Sequence, residues 1–548
     1  MRRLLAIATL ALALPGAADA ARYAVGIAPG ADRARVADAV GAKTGGQVSS
    51  LAPFALVVEA RTAAPALTVP GVAYVERLGT RGRRMAFAPT DPLAVRQWHL
   101  GEVRAFDAWA QRPVFPAPSP RVAIIDSGVD AGHPELVGRI ARHRSFVGGS
   151  ALTDRHGHGT FIAGLMVAGL NNGQGIAGMA FPAQLLVAKV VRGDGVVPLE
   201  AEARAIRWAV DNRAQVINLS LGGVRHPQDP TRDSFSPLEA SAVEYAIRNG
   251  AVVVAAVGNG DHAPEQPWRY ASYPAALPHV LGVSAMARDG SVPAFSNRDP
   301  FFNDIAAPGD EIFSTFPRSL TAQRPTCELQ GYSDCGPQEY RRPQGTSFAS
   351  AIASAAAVLV SAAWPNLRPE QIVGLMERSA ADMTPESGCR RCTAGRDSVS
   401  GWGRLDVAAA VNWAGRLPVP RDRADEPNDD AGSRAFRIRK PSVGIHATLD
   451  YWDDQNDVYA VRLRRGGRLA VTVTGKLGAN VDVYIWRPGT RRLARRTSSA
   501  VIRRSVRPDA RTPEFARIRR APSAGIYYVQ VNLAEPGSGP YVLRIVRR

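Results

Sequence analysis

Through the middle of the chain, short unbroken apolar runs alternate with stretches of helical spacing. The runs at 122–125, 185–190, 216–219, 252–256 and 280–283 lack the polar alternation of a strand with one wet face. They are short enough to be parallel strands buried on both sides. Between them, 199–212 and 237–249 repeat apolar positions at helical intervals. Strand-helix alternation of this kind predicts an α/β fold built on a doubly wound parallel sheet.

The flanks read differently. Residues 21–84 give strand, helix, strand, turn, strand, at 23–27, 31–40, 55–59 and 72–77, a small α+β unit. Arg81 to Arg84 and the segment 86–90 follow as a turn-prone link open to cleavage. Residues 348–364 carry no charge, yet their small residues and Ser350, Ser354 and Ser361 predict a tightly packed central helix and not a membrane span. Trp364-Pro365 ends it, because proline removes the next donor and constrains its predecessor. The composition changes near residue 415. Residues 416–430, with Leu417-Pro-Val-Pro420 and Asp425-Glu-Pro-Asn-Asp-Asp430, form a linker. Short alternating runs at 458–463, 469–473, 481–486, 527–533 and 541–546 then predict an antiparallel β-sandwich over 431–548.

A length of 548 residues calls for several domains, and 45% hydrophobic content supports globular folding. The formal charge of +18 would suit a nucleic-acid or anionic-surface partner. However, lysine occurs only at 43, 189, 440 and 476, arginine is scattered over every segment, and no nucleic-acid-binding signature accompanies the charge, so no nucleic-acid partner is expected. Arg2-Arg3, the apolar run 4–14 and Ala18-Asp-Ala20 read as a signal peptide over residues 1–20. The mature chain is then exported, to the extracellular space, the periplasm or the cell surface, with no transmembrane segment. Four cysteines in an exported chain favour disulfides, and of three possible pairings the local one, Cys327 with Cys335 and Cys389 with Cys392, is expected. A zinc site of all four thiolates is the competing reading, which the arginines of Cys389-Arg-Arg-Cys392 disfavour.

Three islands carry the chemistry: Val122-Ala-Ile-Ile-Asp126-Ser-Gly-Val-Asp130, Gly157-His158-Gly-Thr-Phe-Ile-Ala-Gly164 and Gly345-Thr346-Ser347-Phe-Ala-Ser350. An acid, a base and a hydroxyl thus each sit beside glycine. In this order the islands resemble the active-site blocks of the subtilisin-like serine proteases, over roughly residues 90 to 412. The resemblance implies a catalytic domain over 90–415 and peptide-bond hydrolysis through an Asp-His-Ser triad and an acyl-enzyme. Asp126 would orient His158, His158 would act as base and then acid, and Ser347 would be the nucleophile. His133 and His156 are rivals best read as a turn and a solvated loop. Asn259, ending Val252-Val-Val-Ala-Ala-Val-Gly258-Asn259, would hold the oxyanion together with the N–H of Ser347. Ser220-Leu221-Gly222 would pair with an extended substrate.

The resemblance extends outward. Residues 21–84 resemble the family's inhibitory propeptide, an intramolecular inhibitor in an autoprocessed, monomeric zymogen. Residues 431–548 resemble a pre-peptidase C-terminal domain. No cofactor is required for the chemistry. A structural calcium ion near Asp91, Glu135, Asn171 and Asn172 would match a family site and suits hard oxygen ligands. Phe161, Phe348 and Ala351 stand where the family usually has histidine, methionine and proline, which touches pocket shape and not proton transfer. Competing readings are a catalytically dead relative and an esterase. Intact site residues argue against the first, and the propeptide-like segment argues against the second.

Overall fold

Apolar runs buried on both faces must send alternate side chains into two separate cores. A computed structural model describes residues 21–52, 55–77, 89–111, 119–260, 263–321, 340–341, 344–421, 426, 428–452, 454–475, 480–490, 493, 499–506 and 513–548. The signal-peptide region, the link at 81–84, Cys327 and Cys335 lie outside them. The chain divides into two units, Met1–Met85 and Ala86–Arg548.

In the first unit, β1 (Ala21–Ile27), β2 (Gln47–Ala52), β3 (Ala55–Ala60) and β4 (Val72–Arg77) form an antiparallel sheet in the order β2-β3-β1-β4. The helix Arg33–Thr44 starts on Asp32, whose carboxylate accepts the N–H groups of Ala34 and Arg35, and ends on left-handed Gly45. Val36 and Val40 of this helix share a core with Val25, Leu56 and Val58. The sequence pattern had omitted β2, whose Gln47-Val-Ser-Ser stretch offers little apolar signal.

The second unit is built on seven strands: β5 (Arg121–Asp126), β6 (Ile140–Ser145), β7 (Gln184–Lys189), β8 (Val216–Leu219), β9 (Val252–Ala256), β10 (Leu281–Met286) and β11 (Ile305–Pro308). All pair in parallel, in the order β11-β10-β9-β8-β5-β7-β6. Val122, Ile124, Leu185, Val187, Val254 and Val283 point into one core, covered by the helices His158–Val167, Thr346–Ala363 and Pro369–Ser379. Ala123, Ile125, Leu186, Ile217 and Val253 point into the other, under Leu199–Asp211 and Pro237–Arg248. Two strands escaped the pattern. β6 reads Ile-Ala-Arg-His-Arg-Ser because it is an exposed edge, where basic side chains discourage further pairing. β11 is only Ile-Ala-Ala-Pro. Helix Thr346–Ala363 is long and apolar enough to cross a membrane, but 78% of it is buried inside the fold, against β8 to β11.

Beyond residue 430, two sheets face each other across one core containing Leu449, Tyr459, Val471, Val483, Val529 and Leu543. One has the order Phe436–Ile438, Asn456–Leu463, Gly525–Leu533, Val481–Trp486, Val501–Ser505; the other runs Ser442–Asp450, Ser538–Arg547, Leu469–Gly475, Glu514–Ile518. All pairings there are antiparallel except that of Phe436–Ile438, which lies parallel to Asn456–Leu463.

Candidate active site

The chain grows its sheet outward from β5 in both directions, β7 and β6 on one side and β8 to β11 on the other. Crevices at the carboxyl ends of strands open at such a switch point. Asp126 is the last residue of β5, 2% exposed, and its Oδ1 accepts the N–H of Ser127 at 2.7 Å.

His158 begins the helix His158–Val167, and both carboxylate oxygens of Asp126 lie 2.9 Å from its Nδ1. This approach depends on glycine. Gly157 holds φ at 97°, in the left-handed region, and any Cβ at Gly159 would collide with the carbonyl oxygen of Gly128. Burial disfavours protonation of His158, but the charge and hydrogen bond of Asp126 and the charge of Asp154 outweigh it and hold its pKa above the usual imidazole value.

Asp154 is 1% exposed and fixes this corner. Its Oδ1 accepts the N–H of His156 (3.0 Å), the N–H of Gly157 (2.8 Å) and the hydroxyl of Ser127 (2.9 Å). Its Oδ2 accepts the N–H (2.9 Å) and hydroxyl (2.7 Å) of Thr160. Ser127 Oγ in turn accepts the N–H of Gly159 at 3.0 Å. One carboxylate thereby accepts the Gly157 and Thr160 donors at the start of the His158 helix and, through Ser127, ties that turn to the strand bearing Asp126. Sequence analysis assigned Asp154 no role. The Asp154-x-x-Gly157-His158 spacing, an acid just ahead of a helix start, was the available signal.

Ser347 is the second residue of Thr346–Ala363, and its hydroxyl donates to the carbonyl of Ser220 at 3.2 Å, not to His158. Behind it lies a buried polar network. Ser220 Oγ donates to the Ser347 carbonyl (2.8 Å), Asn218 Nδ2 donates to Ser220 Oγ (2.9 Å), and Ser350 and Ser354 donate to Asn218 Oδ1 at 3.2 and 3.0 Å. Asn259 Oδ1 accepts both the N–H (2.9 Å) and the hydroxyl (2.8 Å) of Thr346, and its Nδ2 faces Gly345. The N–H of Ser347, in the first helical turn, has no intrahelical partner. Ser220, Leu221 and Gly222 leave the end of β8 as an extended segment. Among the described residues, Leu221 and Gly222 make no backbone pairing, whereas Gly223 pairs with Tyr273.

The other expected residues take these positions. His156 is exposed, and His133 is buried in a turn with its Nδ1 accepting the N–H of Glu135. Phe161 and Phe348 pack on each other with ring centroids 4.5 Å apart, and Phe348 lies 6.0 Å from the ring of His158. The two departures thus fill one space beside the base. Asp91 accepts the N–H groups of Asn171 and Asn172, Asn171 Oδ1 that of Thr90, Asn172 Oδ1 that of Gln174, and Glu135 Oε1 that of Ile176. The sulfurs of Cys389 and Cys392 lie within disulfide distance, their Cα atoms 5.3 Å apart, in a small core with Met286 and Met383.

A buried acid, an imidazole and a hydroxyl at the carboxyl edge of a parallel sheet define a serine hydrolase site on an α/β fold. Comparison with known proteins gives the lineage. Residues 118–403 match the subtilase family. Thermitase of Thermoactinomyces vulgaris is 35% identical over 239 residues, 43% of this chain and 78% of thermitase. The major intracellular serine protease of Bacillus subtilis is 34% identical over 249 residues (44% and 67%), and subtilisin DY of Bacillus licheniformis is 32% identical over 264 (48% and 84%). The chain belongs to the subtilase family and is a subtilisin-like serine endopeptidase.

Proposed function

We propose that the protein is an exported endopeptidase, made as a zymogen, that cleaves proteins through Asp126, His158 and Ser347. The observation that carries this reading is the Asp126–His158 contact, both carboxylate oxygens 2.9 Å from Nδ1. It fixes the tautomer with the proton on Nδ1, leaving Nε2 as the base. A substrate strand adds to the unpaired backbone of Leu221 and Gly222. The Ser347 hydroxyl leaves the Ser220 carbonyl by rotation about Cα–Cβ, gives its proton to Nε2 and attacks the scissile carbonyl. Asn259 Nδ2 and the Ser347 N–H stabilise the oxyanion. The imidazolium, held by Asp126, then protonates the leaving amine, and water hydrolyses the acyl-enzyme by the same route.

Residues 1–20 act as signal peptide and 21–84 as inhibitory propeptide. Residues 90–415 are the catalytic domain, 416–430 the linker and 431–548 an accessory β-sandwich of the pre-peptidase C-terminal type. The four cysteines form two local disulfides. A calcium ion at Asp91, Glu135, Asn171 and Asn172 would be structural. The carboxylates of Asp91 and Glu135 both reach the 171–176 segment, and the four side chains keep lone pairs beyond the backbone N–H groups they accept. The deciding experiment expresses the chain beside Ser347→Ala and follows mass and casein cleavage. Self-shortening and proteolysis by the parent alone support the proposal, and equal proteolysis by both proteins refutes it.

A further inference from the structure

Glu202 and Glu239 lie in the first turns of helices Leu199–Asp211 and Pro237–Arg248, each 3% exposed. Those helices follow β7 and β8, the strands on either side of β5, so both helix starts stand at the carboxyl edge of the sheet, where β5 ends in Asp126. Neither carboxyl has a task in the triad chemistry. Glu202 Oε1 is buried with no hydrogen-bond partner. Among the described residues no cation completes the pair, because the arginines of the two helices turn elsewhere, Arg204 to Glu200, Arg207 to Asp211 and Arg248 to Glu244.

Leu221 joins this corner to the segment that would receive substrate. Its side chain packs on the cluster that holds Ala205 and Val243 of the two helices, together with Ala201 and Ala240, the chain neighbours of Glu202 and Glu239. The surface around the pair is apolar. Val196, Leu199, Phe235 and Leu238, which precede or open the two helices, are 40 to 51% exposed. Phe235 packs on Tyr273 with ring centroids 5.4 Å apart, and Tyr273 pairs with Gly223, the residue after the substrate segment.

An apolar rim around a buried acid pair suits one kind of side chain, an aliphatic stem that ends in a cation. Left alone, the two carboxyls keep a proton between them: burial, then the charge and hydrogen bond of Glu239, push Glu202 well up, and burial pushes Glu239 up to about 7. A guanidinium can displace that proton to water and set several N–H donors against the carboxylate oxygens. An ammonium brings the same charge without the planar fork. An apolar side chain gains the rim alone and leaves the buried acids uncompensated.

We propose that Glu202 and Glu239 form the floor of a specificity pocket that takes an arginine side chain of the substrate, its stem along Leu199 and Leu238 and its guanidinium on the two carboxylates. This role rests on the reading of Ser347 as nucleophile and of Leu221 and Gly222 as the substrate-pairing segment. Ser347 is tied to Ser220 and the acid pair lies past Leu221, so the arginine is two or more residues along the strand from the scissile bond. Peptides copying the chain's own link, Arg81-Gly-Arg-Arg84, belong to this substrate class.

The test uses the active protein purified after expression of the full chain, with fluorogenic peptides in which a single arginine is moved through four positions on each side of the scissile bond. At one position two or more residues from the bond, arginine should raise kcat/KM at least about tenfold over both leucine and citrulline, its uncharged isostere. Glu202→Gln and Glu239→Gln should each draw the arginine-to-citrulline ratio towards one. Leu238→Arg, a change on the exposed rim, should lower the same ratio by setting a cation at the mouth, and it decides the matter if the two buried variants misfold. Casein cleaved without such a preference, a preference confined to the residue at the scissile bond, or a ratio unchanged in the folded variants would overturn the pocket alone. Casein left uncut by the parent would overturn the reading of Ser347 and the pocket with it.

Discussion

Ser347 and Ser220 exchange hydrogen bonds: the Ser347 hydroxyl donates to the Ser220 carbonyl at 3.2 Å, and the Ser220 hydroxyl donates to the Ser347 carbonyl at 2.8 Å. The start of one helix is thereby tied to the segment that would receive substrate. Ser220→Ala should remove one of the two bonds, that to the Ser347 carbonyl, and leave Asn218 Nδ2 buried without its acceptor. Stability should fall by about 1–3 kcal/mol. Turnover should fall about tenfold or more with KM rising, because small misplacements of reacting atoms are costly. Steady-state kinetics and thermal melts check both, and wild-type turnover in a folded Ser220→Ala protein would refute the positioning role.

In the proposed mechanism Asn259 would divide two functions between two atoms. Oδ1 holds Thr346, and Nδ2 would serve the oxyanion. Asn259→Asp keeps an acceptor for Thr346 and removes the donor, so the helix start should survive while turnover falls. Losing such a donor costs about 10²–10³-fold in turnover in subtilisin itself, and a similar loss is expected here with KM little changed. Asn259→Ala should lose turnover and stability together, which separates the two roles.

The pKa of His158 lies above the usual imidazole value, and its proposed role as general base requires the neutral form. Activity should therefore rise with pH through a midpoint above the usual imidazole range. Stability runs the other way. A raised folded-state pKa gives stabilisation fully present below the unfolded pKa and lost as pH climbs through the folded one. Asp154→Asn removes one of the charges that raise it, so the acid limb of the rate profile should move to lower pH. The same change keeps one acceptor oxygen but sets an Nδ2 donor against the donors that met the other, and should cost roughly 2–4 kcal/mol. An unmoved acid limb in folded Asp154→Asn would show that Asp154 only braces the helix.

Much of the sheet was legible because burial on both faces leaves unbroken apolar runs, as in 252–256, which returned as β9 with all five residues buried. What escaped lacked that cause. β6 is an edge, so Arg142 and Arg144 point to water, and β2 gains its place from pairing with β3 more than from its own residues. At the candidate site, Asp126, His158 and Ser347 stood out in the sequence because a glycine lies within two residues of each of them. The bonds of Asp154 to His156, Gly157 and Thr160 are local, and its spacing ahead of the helix start was there to be read. Asn218 and Ser350 work through hydrogen bonds to residues that are distant in sequence, up to 136 positions for Asn218 and Ser354, and no local pattern encodes such a contact. The pairing of Phe161 with Phe348 was hidden for the same reason, although each was noticed singly as a departure.

Glu202 and Glu239 meet between helices Leu199–Asp211 and Pro237–Arg248, each 3% exposed. Burial, then the charge and hydrogen bond of Glu239, push Glu202 well above the carboxylate range, and burial pushes Glu239 up to about 7. For an acid, a raised folded-state pKa means the native state holds protons that the unfolded chain has released. Stability should therefore decline as pH rises above the unfolded value near 4.5; the share of Glu239 ends near 7, and that of Glu202 ends only where its own raised pKa is passed. Glu239→Gln replaces the ionisable partner with a neutral group that still hydrogen-bonds Glu202, and should remove much of that slope. Thermal melts of Ser347→Ala protein between pH 5 and 8, with and without Glu239→Gln, measure the difference. Parallel curves for the two proteins would show that this pair does not set the pH dependence of the fold.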